Sequence, residues 1–347
     1  MTGPRRRTVL AAGLTSAAAG LTGCSDPDPA PAPPPVRTAP SVLTGNPVVV
    51  APVRRAAILT AYDISGADLA APLSALEEHL RGTAATIAVG ASLFDGRFPI
   101  DRPRLLSQMP AFRADVPDPQ WCHGDLLVQA VADDLETLRA LTRPSMPGLR
   151  RRWSIEGSHP NAPGPGTRNA FGFQEGLGNP DAADRQLMGE LVWVQPGDGE
   201  PAWCTGGTYQ VVRLIQMAMP TWDSDPVAEQ ERVIGRRKDT GAPLSGQRQT
   251  DEPDLDGEAI AVDAHIRLAN PRTPDSMAHR ILRHGYTYRL SAENTGQIFI
   301  CYQRDVEKGF ATIQRRLAGE AMERYLLPFG GGYFFVLPPA GVRALIG

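Results

Sequence analysis

Apolar residues run almost unbroken from position 56 to 64, a length and composition that predict a strand. Over 67–80 they recur at helical spacing, so a helix follows. A second strand is expected over 83–93. A Pro-rich, polar loop at about 94–120 interrupts the pattern, which resumes as strand 125–132, helix 133–141 and strand 149–155. The second half echoes the first. Strands are predicted at 209–219, 297–302 and 333–337, and helices at 226–235 and 306–326. Gly330-Gly331-Gly332 reads as a turn before the last strand.

Strands and helices in this order imply an α+β fold of two ferredoxin-like units, each an antiparallel sheet with helices on one face. The first would span 46–195 and the second 196–347. A long irregular stretch, about 236–290, interrupts the second unit, and such a stretch inside a compact domain is usually functional. It holds His265, His279 and His284, half of the six histidines.

The first 45 residues fit neither unit. Residues 1–23 open with Arg5-Arg6-Arg7, continue with a short apolar stretch, and read as an export signal. Arg6-Arg7-Thr8-Val9-Leu10 resembles the twin-arginine export pattern. The stretch is too short, and too rich in Ala, Gly and Ser, to span a membrane comfortably. Leu21-Thr22-Gly23-Cys24 resembles a bacterial lipobox, in which the Cys is lipidated and becomes the new N-terminus; the other reading is a plain signal with a coincidental Cys. Residues 24–45 form a Pro-rich linker that should be extended and unable to build a core. The expected address is the outer face of the cytoplasmic membrane, by lipid anchor, or the periplasm. The twin-arginine route carries folded proteins, which suits a protein that binds a cofactor before leaving.

Charge and cysteines narrow the chemistry. The formal net charge is -3. Residues 1–23 contribute three Arg and no acid, so the body is more acidic still. That argues against nucleic acid as a partner. The four Cys stand at 24, 122, 204 and 301, with no CxxC and no CxxCH. A zinc ribbon, a thioredoxin-type site and covalent c-type haem are therefore not expected. Cys122, Cys204 and Cys301 could form at most one disulfide. The histidines and cysteines lack metal-type spacing, which counts against a haem-free metal-binding lipoprotein.

The segment from Asn169 through Gly172-Phe173-Gln174-Glu175-Gly176 to Asn179-Pro180 resembles the signature of dye-decolourising (DyP-type) haem peroxidases, Gly-x-x-Asp-Gly followed by Asn-Pro. Further blocks follow in the family's order: 206–213, 235–244, Asp263-Ala264-His265-Ile266-Arg267, Arg280-Ile281-Leu282-Arg283, 299–305 and 329–335. The resemblance runs from about residue 50 to the C-terminus and is nearest to the exported subfamily linked to bacterial iron uptake.

It implies haem b as cofactor. His265 would be the axial ligand of the iron. Arg283 would sit over the open iron face and stabilise developing charge. Glu175 falls where the family has Asp, and would shuttle a proton with a carboxylate one methylene longer. Arg213, Arg236 and Lys238, with Arg237, would bind the haem propionates; a solvated basic turn is the other reading of that cluster. Taken alone, His265 reads as a surface or hydrogen-bonded His, Arg283 as a surface charge, and Glu175 as a turn or cap carboxylate. His279 and His284 are the rival ligands.

The function implied is peroxide reduction with oxidation of organic donors. The alternatives are a deferrochelatase that releases iron from haem in iron uptake, and a non-catalytic haem-binding lipoprotein. Expected partners are hydrogen peroxide and an organic electron donor or haem, membrane components of iron uptake, and further copies of the chain in a homo-oligomer.

Overall fold

The computed structural model describes residues 44–143, 145–159 and 167–346. The expected signal and nearly all of the linker lie outside them. Eight strands organise the described chain: β1 (Ala56–Ile64), β2 (Ala85–Gly90), β3 (Leu126–Ala132), β4 (Leu149–Ser158), β5 (Thr208–Met217), β6 (Leu282–Arg289), β7 (Thr295–Gln303) and β8 (Leu326–Val336).

Every neighbouring pair is antiparallel. The strands close in the order β1-β3-β2-β8-β5-β7-β6-β4. Read by halves, the order is β4-β1-β3-β2 and then β8-β5-β7-β6. Each half thus runs fourth, first, third, second, and the two ferredoxin-like units expected from the sequence share one barrel. Two seams join them: β2 pairs β8, with Val89 opposite Phe335, and β4 meets β6 at Ser158 and Thr287.

Local chemistry sets the elements. β1 is buried along nearly its whole length, which is why its sequence reads as an unbroken apolar run. The helix Ala70–His79 begins where the Asp68 carboxylate accepts from the Ala70 and Ala71 amides, and it buries Leu73 and Leu76. In the helix Leu135–Thr142, Asp134 caps the Thr137 amide at 2.8 Å. The helix Val227–Ile234 stops at Gly235, whose φ of 92° suits a glycine. Leu59, Leu127, Val212, Ile300 and Phe334 pack together, so the molecule has a solid core.

Three expectations are corrected. The helix predicted at 306–326 is broken into a π-helical turn, Glu307–Ala311, a short helix, Thr312–Arg316, and a 3-10 turn, Ala321–Tyr325. Gly319 lies between them at φ 85°, and Glu320 turns its carboxylate inward. Gly330-Gly331-Gly332 is not a turn but the middle of β8, paired with Leu214, Arg213 and Val212. The stretch 236–290 is not wholly irregular: it contains β6 and the short helix His265–Ala269. β6 carries the adjacent Arg283 and His284, both at the cavity, and that break in the apolar pattern masked the strand. Cys122, Cys204 and Cys301 are all buried free thiols.

Candidate active site

A cavity of about 540 Å³ opens between the C-terminal sheet and the helical segments that cover it. Strands β5, β6, β7 and β8 supply one wall, the helix His265–Ala269 and residues 310–323 another, and the loop 167–179 a third. Of the residues singled out in the sequence, it brings together Glu175, Arg213, Arg236, His265 and Arg283, with the rivals His279 and His284.

On the helical wall, His265 is the first residue of its helix. Its Nδ1 lies 2.7 Å from Oε2 of Glu320, a carboxylate whose side chain is 5% exposed. The break at Gly319 is what lets Glu320 reach inward, and the Ala321 amide bonded to the Asp263 carbonyl at 3.1 Å pins the two segments together. An anchored Nδ1 fixes the ring and leaves Nε2 for a metal. The rivals are placed otherwise. His279 turns its Nδ1 to the Lys308 carbonyl at 2.6 Å, and His284 packs edge-on against Tyr302. Burial, helped by His159 nearby, pushes the His284 pKa down to about 4.

On the sheet wall, Arg283 is held by the Asn-Pro end of the loop motif. Asn179 Oδ1 accepts from the Arg283 amide and from its Nε, both at 3.2 Å, and Asn179 Nδ2 donates to the Arg283 carbonyl at 2.8 Å. The Asn side chain thus pairs with β6 as a neighbouring strand would. Arg283 Nη2 donates to the Leu177 carbonyl at 2.7 Å. Glu175 sits beside it, its Oε1 accepting from Gln297 Nε2 at 2.8 Å. Burial raises the pKa of the Glu175 carboxyl, opposed by Gln297 and the charge of Arg283. Burial also lowers the pKa of Arg283.

The remaining cations divide. Arg213, on β5, is 3% exposed and pairs with Asp115, between the rings of Phe112 and Phe310 at 5.3 and 6.0 Å. Its Nε and Nη1 are buried without a hydrogen-bond partner. Arg236 donates to the Gly241 carbonyl at 2.8 Å. Burial and the charges of Arg272 and Arg283 push its pKa down to about 10. Lys238 is a correction: it is not on the cavity wall. Its Nζ donates to Gln230 Oε1 at 2.6 Å and lies over the rings of Phe173 and Trp222, behind the aromatic wall. The bare Cα of Gly172 makes room for its aliphatic stem. Arg237 is likewise off the wall.

Sequence reasoning missed Glu320, Gln297 and His159, which fold in from positions far along the chain with no motif around them. Asn179 stood inside the quoted motif without a role.

Two ferredoxin-like halves closed into one barrel, with an anchored histidine and a buried Arg and carboxylate on the walls of one deep cavity, define an α+β protein with room for a cofactor. Residues 166–341 match the Dyp-type peroxidase C-terminal family and residues 77–157 the Dyp-type peroxidase N-terminal family. The chain belongs to the DyP-type peroxidases. Proteins named deferrochelatase from Escherichia coli K12 and Shigella flexneri are each 46% identical over 273 residues. Each alignment covers 73% of this chain, but only 64% and 65% of those relatives. Among solved structures, DtpA from Streptomyces lividans matches with a TM-score of 0.77 at 28% identity, covering 88% of this chain and 96% of its own. A DyP-type peroxidase from Cellulomonas bogoriensis matches with a TM-score of 0.72 at 30% identity, covering 83% and 91%.

DyP-type peroxidases bind haem, haem b being their usual cofactor. The residues present fit that group. A ring nitrogen is free on a histidine anchored at the other nitrogen, and the orphaned N–H groups of Arg213 ask for an anion such as a propionate.

Proposed function

We propose that the chain is a haem-dependent peroxidase that reduces hydrogen peroxide while oxidising organic donors. The observation that carries this reading is the shared cavity. His265, backed by Glu320, stands on its helical wall, and Arg283 stands beside Glu175 on the side of the sheet and motif loop.

His265 would hold the iron through Nε2. The Glu320 carboxylate at Nδ1 makes the imidazole a more basic, more firmly oriented ligand. Arg213 and Arg236 would hold the propionates by charge-assisted hydrogen bonds. Bound haem supplies the redox-active iron at which peroxide is reduced and to which donors return electrons. Glu175 takes a proton from one peroxide oxygen and returns it to the other, a task its raised pKa suits. Arg283 stabilises the charge that develops as the O–O bond breaks, in a site where burial strengthens the effect.

The test is the absorption spectrum of the haem-loaded chain before and after peroxide, for wild type, His265→Ala and Arg283→Leu. A strong haem band in wild type, lost in His265→Ala, is expected. Arg283→Leu should keep the band and lose peroxide turnover by about 100-fold or more. A well-folded wild type with no haem band would sink the reading.

A second reading is favoured by the name of the relatives at 46% identity. The same cavity would release iron from haem and hand it to membrane components of iron uptake. Iron-free porphyrin formed without added peroxide would select it. A haem band with neither activity would leave a haem-binding lipoprotein.

We further propose export by the twin-arginine route with lipidation at Cys24, supported by Arg6-Arg7-Thr8-Val9-Leu10 and Leu21-Thr22-Gly23-Cys24.

A further inference from the structure

The longer carboxylate at position 175 has a neighbour that the peroxide chemistry above does not use. Oε1 of Glu175 is taken by Gln297 at 2.8 Å; Oε2 faces Nδ1 of His159 at 3.4 Å. His159 follows directly on β4, its amide bonded to the Arg55 carbonyl at 2.9 Å. Its side chain is 2% exposed, packs on the ring of Tyr286 at 5.0 Å, and lines the cavity. Neither ring nitrogen has a hydrogen-bond partner. A histidine kept only for packing would have at least one nitrogen satisfied, because leaving a buried donor or acceptor without a partner destabilises the fold.

We propose that His159 is the proton partner of Glu175: the two share one proton, and His159 relays it between the carboxylate and the cavity. The step balances. The proton leaves Oε2 of the neutral carboxyl for Nδ1, giving carboxylate and imidazolium, and the imidazolium then gives its Nε2 proton to a water molecule in the cavity, leaving a neutral imidazole. His159 acts through Glu175 and is a positioning residue. The proposal rests on the peroxidase reading only for the use made of the proton.

The surroundings permit sharing. Arg283, on β6, favours the carboxylate form. His284, also on β6, is neutral above pH about 4, and Tyr286 is held neutral by burial. Cys301 on β7 is a neutral thiol behind Arg283, and Arg54, just before β1, lies near Tyr286. Burial raises the carboxyl pKa and lowers that of the imidazole, so the two converge. Interacting groups so matched titrate as a pair.

The sign follows. Without His159, no imidazolium favours the carboxylate, so Glu175 should stay protonated to higher pH. Without Glu175, His159 should take up its proton only at lower pH.

The neutral-carboxyl infrared band of the haem-loaded chain, assigned by its loss in Glu175→Gln, is followed against pH in wild type and His159→Leu. The expected shift is upward by about one pH unit, a tenfold change in proton affinity. In parallel, histidine NMR of the haem-free full chain follows His159 in wild type and Glu175→Gln, with a downward shift of similar size expected. This arm stands even if His159→Leu does not fold. Unchanged titration in either correctly folded variant overturns the proposal. Shifted titrations in a protein without peroxide turnover keep the pair and sink the peroxidase reading instead.

Discussion

At the scale of single residues, the strongest constraint in the cavity is the contact of His265 Nδ1 with Glu320 Oε2 at 2.7 Å. A carboxylate there fixes the tautomer, orients the ring and raises its basicity, and losing such a partner typically costs 10–100-fold in metal affinity. Glu320→Gln keeps the shape and removes the charge. Haem titration of this variant should show affinity lower by about tenfold. Equal affinity would mean that Glu320 only fills space. His265, Arg283 and Glu175 were legible because each sits in a run of residues resembling a family block. Glu320 was not, because its sequence surroundings read as helix.

At the scale of elements, three consecutive glycines show how a strand can be shaped by what crosses it. Gly331 has φ 110°, and a Cβ there would lie 2.0 Å from the Val212 carbonyl oxygen. The bare backbone lets β8 pair with β5 while receiving the segment 116–123 on its other side. There the Asp118 amide donates to the Phe329 carbonyl and the His123 amide to that of Gly331, both at 2.8 Å. Arg213, opposite Gly331 in the ladder, is positioned by the same contact. Gly331→Ala should destabilise the chain by about 3 kcal/mol, from backbone strain plus the clash. Urea unfolding checks it, and a loss below about 1 kcal/mol would show that the strand bends easily.

At the scale of the whole molecule, two halves with the same strand order close one barrel, while the cavity is built almost wholly from the second half and the 167–179 loop. Among the described residues, no helix is long and apolar enough to cross a membrane. The proposed lipid at Cys24 would tether the chain to a membrane surface. Cell fractionation of wild type and Cys24→Ala tests this: the variant should move from the membrane to the soluble fraction. A wild type found wholly soluble would remove the anchor.

What the sequence determined by itself was local. An almost unbroken apolar run marked β1, and helical spacing marked the helix that follows it. Ordered motif blocks marked the family and five residues of the cavity wall. Only the tertiary structure closed the two sheets, because seams such as Ser158 with Thr287 join positions more than a hundred residues apart. Only it broke the 306–326 helix, where turning Glu320 onto His265 outweighs helical propensity. Only it moved Lys238 behind the aromatic wall, and set His159 beside Glu175. A carboxylate and an imidazole meet there through the fold, and no spacing along the chain records it.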